Sequence, residues 1–249
     1  MASTEKQSTI SPRGITAQAD RLALYAFAQE RSQAYWLLSR LFLRAPDAQH
    51  LRQLQDDLAQ AEEGGPLGEL RREVDACLSD PEPAGTEFAR RLLASGLPTG
   101  AALPVESFVR EGKTPGLATR AVAACMREAG FADIAPDAPS KDHIGAELKF
   151  MAMLCYDESQ SWHAGRLADA RQLVANQRDF LIRHLAAWAP EYCEALEERA
   201  EHGYIKAVAR LTRRCLIAEV ATVENLFISL NRPAQSIRFP AMRRAALPH

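Results

Sequence analysis

Residues 204–230 read YIKAVARLTRRCLIAEVATVENLFISL. Within them Val208, Leu211, Cys215, Ala218, Thr222 and Leu226 recur at steps of three and four. That spacing winds all six onto one face of an α-helix. Asn231-Arg232-Pro233 closes the helix, since proline has no N–H to continue the ladder. Toward the N-terminus the same period returns. Residues 161–189 predict a long helix with Leu167, Ala170, Val174, Gln177, Leu181, His184 and Trp188 on its inner face. Pro190 marks its break, a short helix runs on to about Glu201, and His202-Gly203 separates that from the last. From His143 to about Glu158 the stripe is Ile144, Leu148, Met151 and Cys155.

The first half repeats the pattern less cleanly. A helix from about Thr16 to Leu43 carries Leu24, Phe27, Ala28, Arg31, Tyr35, Leu38 and Phe42 at helical spacing, and Pro46 stops it. Shorter helices are expected over Asp47–Glu62, Leu67–Leu78, Thr86–Ala94 and Gly116–Ala129, with Gly64-Gly65-Pro66, Asp80-Pro81-Glu82-Pro83 and Gly130 as punctuation. Ser95–Pro115 reads as a long loop, and loops of that length are usually functional or disordered. FADIAPDAPSKD, residues 131–142, holds two prolines and reads as a hinge. The expected organisation is a flexible tail over 1–16, one helical domain over 17–231, and a basic tail over 232–249. The domain has about eight to ten helices, with halves 17–130 and 143–231 joined by the hinge.

Composition agrees with an all-α chain. The 249 residues include 44 Ala against 13 Gly and 14 Pro, and period-two runs of β-branched residues are nearly absent. At 47% hydrophobic the chain has enough apolar surface to fold. A net charge of -2 gives no field for gathering phosphates, so nucleic acid is not an expected partner. No apolar run approaches the roughly 20 residues of a membrane helix, so no stable membrane insertion is expected. Cys77, Cys125, Cys155, Cys193 and Cys215 form no CxxC pair and read as reduced, buried thiols. Residues 1–15 lack the apolar segment of a secretory signal, which makes the cytoplasm the expected compartment.

A search for chemistry returns little. None of His50, His143, His163, His184, His202 and His249 pairs with another histidine at three or four residues, and no carboxylate-rich helix repeat supports a metal. His184 lies on an apolar stripe and reads as a core or rim residue. Asp56-Asp57 has no second acidic cluster and reads as a solvated face. GxSxG, GxGxxG and phosphate-loop patterns are absent, so no catalytic residue, cofactor or metal is expected. Two stretches survive. In the first, Glu87-Phe88 and Leu92-Leu93 lead to Leu103-Pro104-Val105-Glu106-Ser107-Phe108; its plain reading is a packing element between helix and loop. The second is Lys141 to Met151, KDHIGAELKFM. Asp142 stands where an N-cap belongs, with His143 beside it, and the plain reading is a cap next to an exposed histidine.

Together these stretches resemble the TorD/DmsD (NarJ-like) family of cytoplasmic molybdoenzyme maturation chaperones. Phe88-Ala-Arg-Arg-Leu92-Leu93, Pro104-Val105-Glu106-Ser107 and Asp142-His143-Ile144-Gly145-Ala146-Glu147-Leu148 match its blocks in order and spacing. Val105 stands where the family usually has an aromatic, and Lys141 where it often has proline. The resemblance implies a non-enzymatic, all-helical chaperone. Its partner would be the apo-form of a molybdopterin oxidoreductase catalytic subunit, its twin-arginine signal peptide, or both. Client contacts would fall at Asp142, His143, Glu147, Glu106, Ser107 and Pro104, with Phe88, Leu92 and Leu93 lining an apolar groove. Carboxylates such as Asp142 and Glu106 suit the two guanidinium forks of such a signal. A monomer with some domain-swapped dimer is expected from the hinge. The competing reading is a motif-poor helical enzyme or a regulatory ligand-binding domain.

Overall fold

The computed structural model describes residues 18–92 and 103–231. Ten α-helices run through them: α1 (Gln18–Leu43), α2 (Ala48–Asp57), α3 (Pro66–Cys77), α4 (Glu82–Leu92), α5 (Glu106–Glu111), α6 (Leu117–Glu128), α7 (Ile144–His163), α8 (Leu167–Phe180), α9 (Ala186–Arg199) and α10 (Gly203–Asn231). A π-turn, Leu181–Leu185, joins α8 to α9. No strand occurs among the described residues. The tails and Leu93 lie outside them.

The frame is an antiparallel pair, α1 on α7. Ser39 Oγ donates to Gly145 O, Ser32 Oγ donates to Ala152 O, and the tilted Tyr25 and His163 rings lie 5.3 Å apart, so the two helices run in opposite directions. Gly145 is required where they meet. A Cβ there would sit 2.6 Å from the Leu43 side chain. Helix α10 packs on α9 and also touches α3 and α8. The larger core gathers Leu41, Phe42, Phe88, Leu148, Met151, Trp188, Tyr204 and Val208 from nearly every helix, while Leu24, Phe27, Trp162, Val174 and Leu226 form a smaller one at the start of α1.

A buried ion network crosses the smaller core. Arg31 is 1% exposed. Its Nε donates to Glu219 at 2.7 Å, Nη1 to Glu158 at 3.0 Å and Nη2 to Gln177 Oε1 at 2.6 Å. Glu158 also accepts from Trp162 Nε1 and Gln177 Nε2. One guanidinium therefore ties α1 to α7, α8 and α10, and every charge has its partner. Arg31 and Gln177 fell on the expected apolar stripes because they do face inward.

Several expected boundaries move, each for a physical reason. The 161–189 helix is divided: α7 runs on to His163, and Gly165 takes φ 72°, the left-handed turn that ends it. Pro190 lies inside α9, close to its start, where a missing N–H removes one ladder bond. The irregularity sits in the π-turn before it, where Ala186 N–H reaches back to Leu181 O. Helix α4 begins at Glu82, because proline is favourable in a first turn. The 95–115 loop contains α5, whose six residues are too few to show a period. Residues 131–142 form turns and no helix, yet they are anchored. Phe131 N–H bonds Met126 O, its ring meets Phe150 edge-on, and Ala135 is buried. All five cysteines are free, and Cys125 and Cys215 are half-buried.

Removing the Arg31 guanidinium strands two buried carboxylates, and breaking a buried pair from one side costs about 3–5 kcal/mol. Arg31→Ala is expected to lower the melting temperature by roughly 10 °C, taking about 2–4 °C per kcal/mol for a chain of this size. Calorimetry of the two proteins measures it.

Candidate functional site

The two surviving stretches meet. Glu106 N–H bonds Asp142 O at 2.9 Å and Ile144 N–H bonds Pro104 O at 2.9 Å, an antiparallel bridge pairing Val105 with His143. Residues 104–107 and 142–147, far apart in sequence, thus start two helices side by side.

The capping differs from expectation. Helix α7 is capped by His143, whose Nδ1 accepts from Gly145 N–H at 3.1 Å. Asp142 serves the neighbouring helix. Its Oδ2 accepts from Ser107 N–H at 2.8 Å, in the first turn of α5, and from Thr119 Oγ1 at 3.1 Å; its Oδ1 accepts from Ser140 Oγ. Thr119 Oγ1 and Ser107 Oγ lie 3.0 Å apart, within hydrogen-bond distance. Glu111, at the far end of α5, caps α6 by accepting from Leu117 and Ala118 N–H. Gly116 is needed at that corner, where a Cβ would lie 2.7 Å from Ser107 Cβ.

His143 is fully buried, not exposed as its plain reading had it. With Nδ1 accepting, the proton sits on Nε2, which donates to Leu92 O at 3.1 Å. Burial pushes its pKa down to about 4, against smaller opposing contributions from the Leu92 bond and Asp142. His143 is therefore a neutral strut between the end of α4 and the start of α7.

Glu106 and Glu147, both fully buried, form the chemical centre. Glu147 Oε2 accepts from Trp188 Nε1 at 3.2 Å, and Oε1 has no donor among the described residues. Burial, then the charge of Glu106, raises the Glu147 pKa well above the ordinary carboxylate range, so Glu147 is the member of the pair that holds a proton. Glu106 has two cationic partners. His184 Nδ1 lies 3.0 Å from its Oε2, and Arg110, one turn along α5, bonds its Oε1. Burial disfavours the charged imidazole of His184, but hydrogen bonds to Cys125 and Glu106 outweigh it and hold the pKa up at about 9. The Arg110 side chain is 45% exposed, so the buried pair reaches solvent through a guanidinium.

Of the expected residues, Pro104, Glu106, Ser107, Asp142, His143 and Glu147 converge. Phe88 and Leu92 are fully buried in the larger core and support α4 from beneath. Leu93 lies outside the described residues. Sequence reading missed Arg110, Thr119, Ser140 and Trp188 as members; His184 is the core or rim histidine expected of it, and its partner is Glu106. The one available signal was Glu106 and Arg110 at i and i+4, hidden because the segment read as a loop. Among the described residues no group of three or more His, Cys, Asp and Glu side chains is arranged to hold a metal ion.

The two histidines shape stability in opposite senses. A base whose folded pKa is raised stabilises the fold in its charged form, so the His184 contribution is complete below about pH 6.5 and disappears as pH rises through 9. His143 stabilises as the neutral form; its contribution is complete above about pH 6.5 and falls away as pH drops toward 4. Urea midpoints are expected to decline on both sides of about pH 6.5. His184→Gln should reduce the alkaline decline, to which the raised Glu147 also contributes, and leave the acid one.

The sequence model of the family described as nitrate reductase delta subunit matches residues 44–194. A chlorate reductase assembly chaperone protein from Ideonella dechloratans and a selenate reductase assembly chaperone protein from Thauera selenatis are each 48% identical over 56 residues, 22% of this chain and 28% of the relative. The chain thus matches little more than a quarter of the length of these two. A chaperone protein TorD from Vibrio cholerae serotype O1 is 27% identical over 194 residues, 74% of this chain and 87% of that relative.

Proposed function

This chain belongs to the nitrate reductase delta subunit family, and on that premise we propose that it is an assembly chaperone with no turnover of its own. It binds the apo-form of a molybdopterin oxidoreductase catalytic subunit in the cytoplasm, supports insertion of the molybdenum cofactor and, where a twin-arginine signal peptide is present, delays export. The names of the relatives support the role, since they are assembly chaperones of reductases or chaperone TorD. In this reading the chain acts as a monomer. Domain-swapped dimers form by exchange across residues 131–142, because the α1–α7 pairing joins the two halves and a second copy can supply it.

One observation carries the site: a guanidinium already sits on Glu106. Arg110 of the chain itself occupies the outer end of a buried carboxylate pair. A client arginine takes the same place, and the arm of Arg110, half exposed, swings out to admit it. Glu106 then keeps its His184 bond, and Glu147 accepts a second guanidinium as its proton leaves. Asp142, Ser107 and Pro104 fix α5 in position, His143 holds α4, and Phe88 and Leu92 anchor α4 in the core. Arginine is preferred to lysine because the fork bonds a carboxylate through two parallel N–H groups.

The reading is tested by titrating a synthetic decapeptide with two adjacent arginines followed by leucines. Glu106→Gln is expected to weaken binding at least tenfold. Arg110→Ala is expected to strengthen it several-fold, because an internal competitor is gone. Weaker binding in Arg110→Ala, or equal binding of a lysine-for-arginine peptide, overturns the placement.

A further inference from the structure

A second surface lies on the outer side of α1 and α7. Two adjoining hollows, about 400 and 420 Å³, share Trp36 and Arg40. One continues to Leu43, Arg44 and Lys149; the other to Leu37, Met153 and Tyr156. Together they follow α1 from Ser32 and reach Arg44 just past its end, twelve steps along the chain or about 18 Å at 1.5 Å each. An extended peptide of five or six residues covers that distance at about 3.3 Å per residue. Trp36 is 43% exposed and Tyr156 44%, both unusual for residues of their size.

The charge of the trough is cationic. Lys149 Nζ rests over the Trp36 ring, 5.3 Å from its centre, and has no carboxylate partner among the described residues. Arg44 bonds only the neutral amide of Gln53. Arg40 is paired with Asp57 through one nitrogen, and its buried Nε has no acceptor. The other carboxylate in the lining is Asp137. The local potential is felt by a neighbour: burial first, then Arg40 and Arg44, push the His50 pKa down to about 4.

We propose that this trough binds an extended acidic peptide segment carrying apolar side chains. Its carboxylates would meet Lys149 and Arg44, and an apolar side chain would lie between Trp36, Met153 and Tyr156. The inference from charge is specific: arginine-rich segments, which suit the Glu106 site, are repelled here. Methionine and aromatic side chains suit a peptide of variable sequence because they repack around different partners. The shape also favours a peptide over a small anion, since the trough is long and open, with Arg40, Arg44 and Lys149 lining one hollow and the apolar Leu37, Met153 and Tyr156 the other.

The experiment uses the full chain and four fluorescein-labelled hexapeptides, read by anisotropy. They are Glu-Asp-Leu-Phe-Asp-Glu, its Gln/Asn amide counterpart, its Lys/Arg counterpart, and an acidic version with Ser-Ser at the centre. The acidic apolar peptide is expected to bind at least tenfold tighter than the other three, and to weaken as salt rises. The double variant Arg44→Glu, Lys149→Glu should reverse the preference toward the basic peptide, with helix content by circular dichroism unchanged. Trp36→Ala should weaken the acidic apolar peptide and leave the Ser-Ser version unaffected. If the amide counterpart binds equally well, or no peptide binds below millimolar concentration, the proposal fails. If inorganic pyrophosphate displaces the peptide at lower concentration than free glutamate does, the trough is a phosphate site and the proposal is equally overturned. None of these readouts involves Glu106, so the result is independent of the arginine site.

Discussion

The Asp142 carboxylate is the constraint on which the site depends. A buried carboxylate is tolerated only when its oxygens are hydrogen-bonded. Here both are, by Ser107 N–H, Thr119 and Ser140, while the backbone carbonyl of the same residue accepts from Glu106 N–H. The first turn of α5 is thereby fastened to the residue that precedes the α7 cap. Only with α5 held there does Glu106 reach inward to His184 and Glu147, and only then does Arg110 project outward one turn later. A six-residue helix is far below the length that is stable by itself in water. Its position is imposed from outside.

The charges brought together by that arrangement balance only through a proton. Two adjacent carboxylates in a dry site do not both ionise cheaply. Burial keeps Glu147 protonated, while Glu106 is offset by the raised His184 and by Arg110. Of these groups the Arg110 arm is the exposed one, and an exchange of one guanidinium for another leaves the charge of the pocket unchanged. The Arg31 network is built differently. It is sealed on all sides, Arg31 and Glu158 have no exposed surface in their side chains, and it holds four helices together. The same pairing of arginine with glutamate is structural where it is closed and available for exchange where one end meets water.

The long helices α1, α7 and α10 were legible because their apolar residues recur at the helical period over four turns or more, and the shorter ones because glycine and proline bound them. Even Arg31 and Gln177 were placed on the correct faces, though their polarity argued for the surface. What stayed hidden has a common cause: it is decided by contacts distant in sequence. Helix α5 is started by Asp142, 35 residues away. Asp142 looked like a cap for α7, but His143 takes that role, and the one-residue shift changes which helix the carboxylate serves. His184 is the core or rim histidine its stripe implied, but nothing near it in sequence announces that its partner is Glu106. Pro190 was read as a break because the sequence does not show a π-turn preceding it. Phe88 and Leu92 do belong with the site blocks, yet their apolarity is spent in the core.

Helix α7 organises both surfaces from a few adjacent residues. Glu147 and Lys149 are two positions apart, about 200° around the helix, so one faces the carboxylate pair and the other the trough. The acidic side is buried, where a low dielectric strengthens its hydrogen bonds and makes it selective for a fork that satisfies every oxygen. The basic side is open, where charges act at longer range, are screened by salt and discriminate by sign more than by geometry. On the proposed reading, a client with a basic leader and an acidic segment meets each on a different face of one rigid helix. Binding at both faces would be joined through that helix, and the affinity of each weak contact would be raised by the other.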